Sequence, residues 1–423
     1  MQAIIAIIIT FSVIAAFATQ IIDAPMIALL GSLAMMAAGI ITPLDVVAPF
    51  GSDAVLMVAG VMILGDAVFE TGLAGKIGNI VTGCEPLVRT EKRFLLSVLT
   101  IAAFLSAFLS NTATVAMFMP LIDSISKSDG GRIQKKNVLM AVGISAVMGG
   151  NCTLAGSTPQ LTAQGILTEM PGVRNLTFFE LAYVAVPLIA VMLLYYATIG
   201  YRLQEKYFDF AAEDSVGDIP VLSNSGSNKA ALMGIIMLAC ITGFVLGIFS
   251  FGTVAILCAC VCIITKCISS KKAFQAIDIR TITVLGGSLG FSKGLSQSGA
   301  INLLAEKLLF IINENNLPPC LICGIFIVIA SLLGNIMSHT ATVAILTPIG
   351  ISTAMALMLD PIPFVVGIII GSNLSFATPI GTPPLTMTLI AGYRFGDYAR
   401  VGGLLNLITV IGAVLWIPVV YGL

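Results

Sequence analysis

Apolar runs of roughly 17 to 25 residues, the length that crosses a hydrocarbon core of about 30 Å, recur from the first residues of this chain to the last. No other feature restricts the fold so sharply. Inside lipid every backbone N–H and C=O needs an internal partner, so only helices or closed barrels can span, and continuous rather than alternating runs select helices. Of the 423 residues 58% are hydrophobic and 10% charged, too little polar surface to disperse a water-soluble protein of this length. The first run, Gln2 to about Thr19, lacks a basic start and is followed almost at once by a second, so it reads as a span rather than a cleaved signal. A net charge of -1 without blocks of like charge points to no nucleic-acid partner.

The runs and their polar breaks predict spans near 2–20, 25–42, 53–72, 134–168, 178–201, 230–250, 252–268, 280–299, 363–393 and 401–422, about ten in all. Two further apolar stretches, about 94–124 and 319–358, are interrupted midway by Ser110-Asn-Thr112 and Ser338-His-Thr340. A chain that enters, turns on polar residues at mid-depth and leaves on the same side satisfies both stretches, so each is expected to be a re-entrant hairpin.

The interruptions belong to a repeat. Ser110-Asn-Thr-Ala-Thr-Val-Ala116 and Ser338-His-Thr-Ala-Thr-Val-Ala344 differ at one position, and Pro120 and Pro348 follow each at the same distance. Gly156-Ser-Thr-Pro159 answers Gly381-Thr-Pro-Pro384, and Thr71-Gly72 answers Ser298-Gly299. Two copies of one unit account for this: a first repeat over 1–201, a cytoplasmic linker over 202–228 and a second repeat over 229–423. Assigning sides by these spans leaves three of the 20 lysines and arginines, Arg174, Lys293 and Lys307, on one side. Basic loops stay in the cytoplasm, so both termini are expected outside and the repeats inverted. The expected location is the plasma membrane, the inner membrane in a bacterium.

A small divalent anion at mid-depth needs donors without so much fixed charge that it cannot leave. Hydroxyls, amides and helix N-termini supply them. Ser110, Asn111, Thr112, Ser338, His339 and Thr340 stand at the two hairpin tips. A lone serine or threonine in a membrane helix usually bonds back to the preceding turn, but here the polar triplet recurs and is paired each time with a Gly-Ser/Thr-x-Pro break. The breaks at 156–159 and 381–384 should unwind two spans and free carbonyls for a cation beside the anion.

These tips and breaks, with the run Val58-Ala-Gly-Val-Met-Ile-Leu-Gly65 leading to Thr71-Gly-Leu-Ala74 and the closing Ala391-Gly-Tyr-Arg-Phe-Gly-Asp-Tyr398, resemble the divalent anion:sodium symporter (DASS) family of the ion transporter superfamily over nearly the whole chain. The resemblance implies an all-α integral membrane protein with two inverted repeats and two re-entrant helical hairpins, a homodimeric elevator-type carrier of di- or tricarboxylates or sulfate. Carried over residue by residue, substrate would touch Ser110, Asn111, Thr112, Ser157, Ser338, Thr340 and Thr382, with Thr158, His339 and Pro383 beside them. A first sodium site would use Ser106, Ser110, Asn111 and Gly156, and a second Gly334, Met337, residue 339 and Gly381.

The family pattern has Asn at 339, where this chain carries its single histidine. Imidazole is a poor ligand for a hard alkali ion, whereas a protonated ring would supply the same charge. Sodium is therefore expected at one site, the second is in doubt, and exchange without sodium is an open alternative. No organic cofactor is implied.

Asp66 and Lys293 occupy corresponding places late in their spans, where snorkelling to the interface competes with a functional role. Cys258, Cys260, Cys262 and the Cys320-x-x-Cys323 pair sit in apolar runs and read as packing residues. No phosphate loop or H-E-x-x-H motif supports an enzyme. The rivals are a carrier of sulfate or another inorganic oxyanion, a related citrate or arsenite carrier, and, from a different class, an anion channel.

Overall fold

A computed structural model describes residues 1–19, 21–73, 90–128, 132–170, 172–210, 227–301, 303, 306–307 and 317–423. Most of the expected linker, and Ala74, Lys76 and Arg89, lie outside them. The described chain is helical, and six helices are long and apolar enough to cross a membrane unaided: Gln2–Thr19, Pro43–Glu70, Ala182–Tyr207, Lys229–Leu246, His339–Ala356 and Phe395–Tyr421. Their outward faces carry exposed apolar side chains such as Phe11, Leu238 and Leu415, the surface a bilayer covers.

The first half runs α1 (Gln2–Thr19), α2 (Ala24–Ala37), the short α3 (Pro43–Val47), α4 (Asp53–Glu70), α5 (Glu91–Ser106), α6 (Asn111–Ser128), α7 (Lys135–Gly150), α8 (Thr158–Glu169) and α9 (Ala182–Tyr195), which passes through one wide turn at Tyr196–Gly200 into α10 (Tyr201–Tyr207). The second half repeats the order: α11 (Ser227–Leu246), α12 (Phe251–Ile264), the short α13 (Ser270–Ala276), α14 (Ile279–Gln297), α15 (Pro319–Gly334), α16 (His339–Ala356), α17 (Ile362–Asn373), α18 (Pro383–Thr388) and α19 (Gly403–Tyr421).

Local chemistry sets many starts. Ser52, Thr90, Ser250, Ser269 and Ser338 each accept a backbone N–H three residues on, and Thr42 with Asp45 forms a reciprocal capping box. One boundary departs from the sequence reading. The span expected to stop at 201 continues helically to Tyr207, because Tyr201 to Lys206, though polar, break no backbone hydrogen bond, and the Tyr201 hydroxyl donates to Glu91.

The halves pack crosswise. Helix α2 lies along α14 and α4 lies along α12, so each half's second helix meets the other's fourth. Within each half the arrangement recurs: α7 packs on α5 and α6, and α17 packs on α15 and α16. Helix α17 is buried along its whole length and α7 almost so, which is why both are apolar all round rather than amphipathic. A second apolar cluster joins α1, α2 and α14 to the start of α16 through Phe17, Met35, Phe291 and Ile345.

Candidate functional site

The tips form where α5 gives way to α6 and α15 to α16. Ser110 Oγ accepts from Ala113 N at 3.2 Å and Ser338 Oγ accepts from Ala341 N at 3.3 Å, while Thr114 and Thr342 donate back to the Ser110 and Ser338 carbonyls. In both tips the serine caps its helix with a lone pair and keeps its hydroxyl hydrogen for another acceptor. Thr112 is exposed but Thr340 is buried, so the two tips are not equally open.

Each tip is tied to the break of its own half. The Thr153 hydroxyl donates to the Ala107 carbonyl, and Thr378 makes the equivalent bond to the Asn335 carbonyl. Asn335 also receives Ala377 N on its Oδ1 and donates through Nδ2 to Asn406, which in turn holds Phe376 N. The breaks then pass into the other half: α8 packs on α16, and α18 packs on α6. Ser157 and Thr158 thus begin the helix lying against the second tip's arm, and Thr382 and Pro383 begin the one lying against the first. Ser157 and Thr382 have extended backbones and no capping bond from their side chains. Pro383 and Pro384 carry no N–H, so the second break offers a hydroxyl in place of a row of backbone donors.

The residues expected to hold a first cation do come together. One polar atom of the Asn111 carboxamide lies 2.7 Å from Ser106 Oγ, 3.0 Å from the Ala146 carbonyl and 3.1 Å from the Gly156 carbonyl, and with Nδ2 at that position it donates to all three. Two carbonyls facing an amide oxygen are stable in one of two ways: the carboxamide turns its Nδ2 toward them, or a cation neutralises the oxygens. Ser110 contributes the cap beside this cluster, and its hydroxyl is not one of the converging oxygens. Among the described residues no group of three His, Cys, Asp or Glu side chains gathers anywhere. The oxygens gathered around Asn111 are neutral, the donor type that suits a weakly held alkali ion.

At the second tip His339 is 4% exposed, and its Nε2 lies 2.5 Å from Ser375 Oγ. A Cβ on Gly381 would stand 2.3 Å from the Gly334 carbonyl and 2.8 Å from His339 Nε2, so Gly334, His339 and Gly381 form one contact. Met337 is different: its side chain packs into the second apolar cluster, leaving only its backbone for the tip. No carboxylate pairs with the imidazole among the described residues.

Ala146, Asn151, Gln160, Asn373 and Ser375 escaped the sequence reading. The signal was present for part of it: Thr-x-x-Gly occurs at 153–156 and again at 378–381, and an Asn closes the helix before each break. Asp66 and Lys293 lie apart from the tips. Lys293 reaches Asp45 at 3.1 Å and Glu169 at 3.6 Å, and Asp66 sits one turn from Glu70, which holds Lys272 at 2.6 Å. Cys262 packs with its Sγ 3.6 Å from Met233 Sδ. A cavity of about 470 Å³ lies near Asp53, Gln164, Glu169, Ser250 and Lys293, also away from the tips.

Comparison with known proteins agrees with the all-helical membrane fold. The family model described as citrate transporter matches residues 14–358 and, in an overlapping second match, 241–422. An uncharacterised transporter of Haemophilus influenzae is 30% identical over 334 residues, covering 74% of this chain and 69% of its own. The sodium-dependent dicarboxylate transporter SdcS of Staphylococcus aureus is 24% identical over 422 residues, covering 91% of this chain and 80% of its own. The crystal structure of the YdaH transporter of Alcanivorax borkumensis superposes with a TM-score of 0.64 at 15% identity, over 89% of this chain and 87% of that one.

Proposed function

The chain belongs to the citrate transporter family, and we propose that it is a secondary carrier of small di- or tricarboxylates, coupled to sodium or working by exchange. It is an integral membrane transporter and not an enzyme. The observation that carries the proposal is the crosswise pairing of two tips with two breaks: each substrate-facing helix start is supplied by one half and laid against the tip of the other. Such a centre has two related approaches, one per half, which is what alternating access requires.

In this reading the hydroxyls of Ser110, Thr112, Ser157, Ser338, Thr340 and Thr382 and the Asn111 amide bind the carboxylates. Hydrogen bonds to charged groups each contribute about 1.5–3 kcal/mol, and donors that carry no fixed charge keep release possible. Sodium would be held by the Ser106, Asn111, Ala146 and Gly156 oxygens, where its charge offsets that of the dianion; the dependence of SdcS on sodium supports this assignment. His339 replaces the second oxygen-ligand position. The basic-residue asymmetry supports both termini outside, and the family resemblance supports an elevator motion within a homodimer.

Uptake of labelled succinate, citrate and sulfate into proteoliposomes, with and without a sodium gradient, tests the proposal. Saturable uptake of a carboxylate with counterflow is expected. Uptake of sulfate alone would move the chain to oxyanion transport, and flux without saturation or counterflow would make it a channel.

A further inference from the structure

Asn151 caps the end of α7, and Asn373 ends α17, the same place in the other half. Both are buried, at 2% and 1% exposure, and the Asn373 Nδ2 donates to the Asn151 Oδ1 at 2.5 Å. Gln160, fully buried in the first turn of α8, donates its Nε2 to the Gly150 carbonyl at 3.0 Å and leans toward the same Asn151 Oδ1 at 3.4 Å. Gly150 abuts the Asn111 amide: a Cβ at 150 would be 2.2 Å from its Oδ1. On the other side, Ser375 stands two residues past Asn373 and holds His339. A single buried line thus runs from Asn111 through Gly150, Gln160, Asn151, Asn373 and Ser375 to His339.

Two atoms in this line lack a partner: Gln160 Oε1 and Asn373 Oδ1. A buried acceptor without a donor is costly, by about 1–3 kcal/mol. Turning a carboxamide over exchanges its donor and acceptor, and Gln160 is held against that by the Gly150 carbonyl, which only its Nε2 can satisfy. In the arrangement seen, Asn373 donates to Asn151; with both amides reversed, Asn151 donates to Asn373 Oδ1. The junction thus admits two hydrogen-bond directions, and in the second Gln160 loses Asn151 Oδ1 as an acceptor, the kind of alternative through which two sites can influence each other.

We infer that Asn151 and Asn373, with Gln160 as their arm, are positioning residues that couple the two tips, the direction of their hydrogen bonds passing the state of the Asn111 cluster to His339. The inference rests on the reading of the tips as the two halves of one site. The Asn111 carboxamide must turn its oxygen inward to hold a cation and its nitrogen inward without one. Gly150 lies against that amide, and its carbonyl is the acceptor Gln160 uses.

The single histidine makes the second tip directly observable, because heavy-nitrogen labelling of histidine reports on His339 alone. Ser106→Ala perturbs the first tip from the other half of the molecule. In the otherwise unaltered chain, held at fixed pH in detergent, this substitution should move the His339 ring-nitrogen signals and their tautomer balance. With Asn373→Leu the same substitution should move neither. Asn151→Leu and Gln160→Met repeat the test, each accepted only if helical content and elution profile are unchanged. A silent His339 in the first comparison, or an equal response with the junction removed, overturns the inference. No transported substrate enters the measurement, so failure of the carboxylate assignment in the uptake assay is seen separately.

Discussion

Gly150 and Asn111 are in contact so close that a single methyl group at 150 would stand 2.2 Å from the Asn111 Oδ1. The contact joins the end of α7 to the first residue of α6, and it fixes where the amide can point. Glycine is required by proximity here, the backbone being ordinary helix.

Gly150→Ala should therefore push Asn111 off the Ser106, Ala146 and Gly156 oxygens. Overpacking a close-packed interior costs about 1–3 kcal/mol, so ion-dependent uptake should weaken roughly tenfold or more while the protein still folds. Sodium titration of uptake by the purified variant measures this; an unchanged half-saturation concentration would separate the glycine contact from the cation site.

Tip hydroxyls should act on substrate affinity. Thr112 is exposed, so Thr112→Val removes a donor at little structural cost and should weaken carboxylate affinity by roughly tenfold, from the contribution of about 1.5 kcal/mol or more per charged hydrogen bond. Ser338 also caps α16, which makes Ser338→Gly the better probe, since glycine at a cap costs only a few tenths of a kcal/mol. Wild-type affinity in both variants would take the tips out of the site.

His339→Asn restores an oxygen ligand where the imidazole now meets Ser375. Sodium dependence of uptake should rise, read as a steeper sodium response in the same vesicles. Full exposure of the wild-type ring to solvent is prevented by its burial, so any proton effect on transport should require the tip to open and should appear in rate more than in resting affinity. A variant with the parental sodium response would make the histidine a packing residue.

The connector before α9 carries a pH-sensitive pair. Burial alone would raise the Glu180 carboxyl, but Arg174 at 2.6 and 2.9 Å and the Thr177 N–H at 3.0 Å more than offset it and hold it below the ordinary carboxylate range. A lowered folded-state value means the stabilisation is complete above the unfolded carboxylate range and is lost as pH falls through the lowered value. Thermal unfolding should show the wild type losing stability across that acid window and Glu180→Gln, already less stable at neutral pH, losing less. Parallel curves would show that the pair contributes nothing.

Hydropathy and repetition, read along the chain, determined the membrane class, most of the helices and the two breaks, because each depends on neighbours a few residues apart. The polar triplets at 110–112 and 338–340 are legible for the same reason: a serine followed by polar residues inside an apolar run marks a helix start, and Ser110 and Ser338 do cap α6 and α16. That Asn111 faces the Ala146 and Gly156 carbonyls, that Met337 turns its side chain to the apolar cluster with only its backbone left at the tip, and that Asn151 meets Asn373 across 222 positions were decided only by the tertiary structure. The first contact lies within one half, between α6, α7 and the break, whereas the other two form between the halves, Met337 against α1, α2 and α14 and the two amides at the ends of α7 and α17. A chain's local pattern states which faces are apolar, but which two buried amides meet depends on how the halves are laid across one another, and an Asn next to a break looks the same in sequence whether its partner is water, backbone or the other half of the protein.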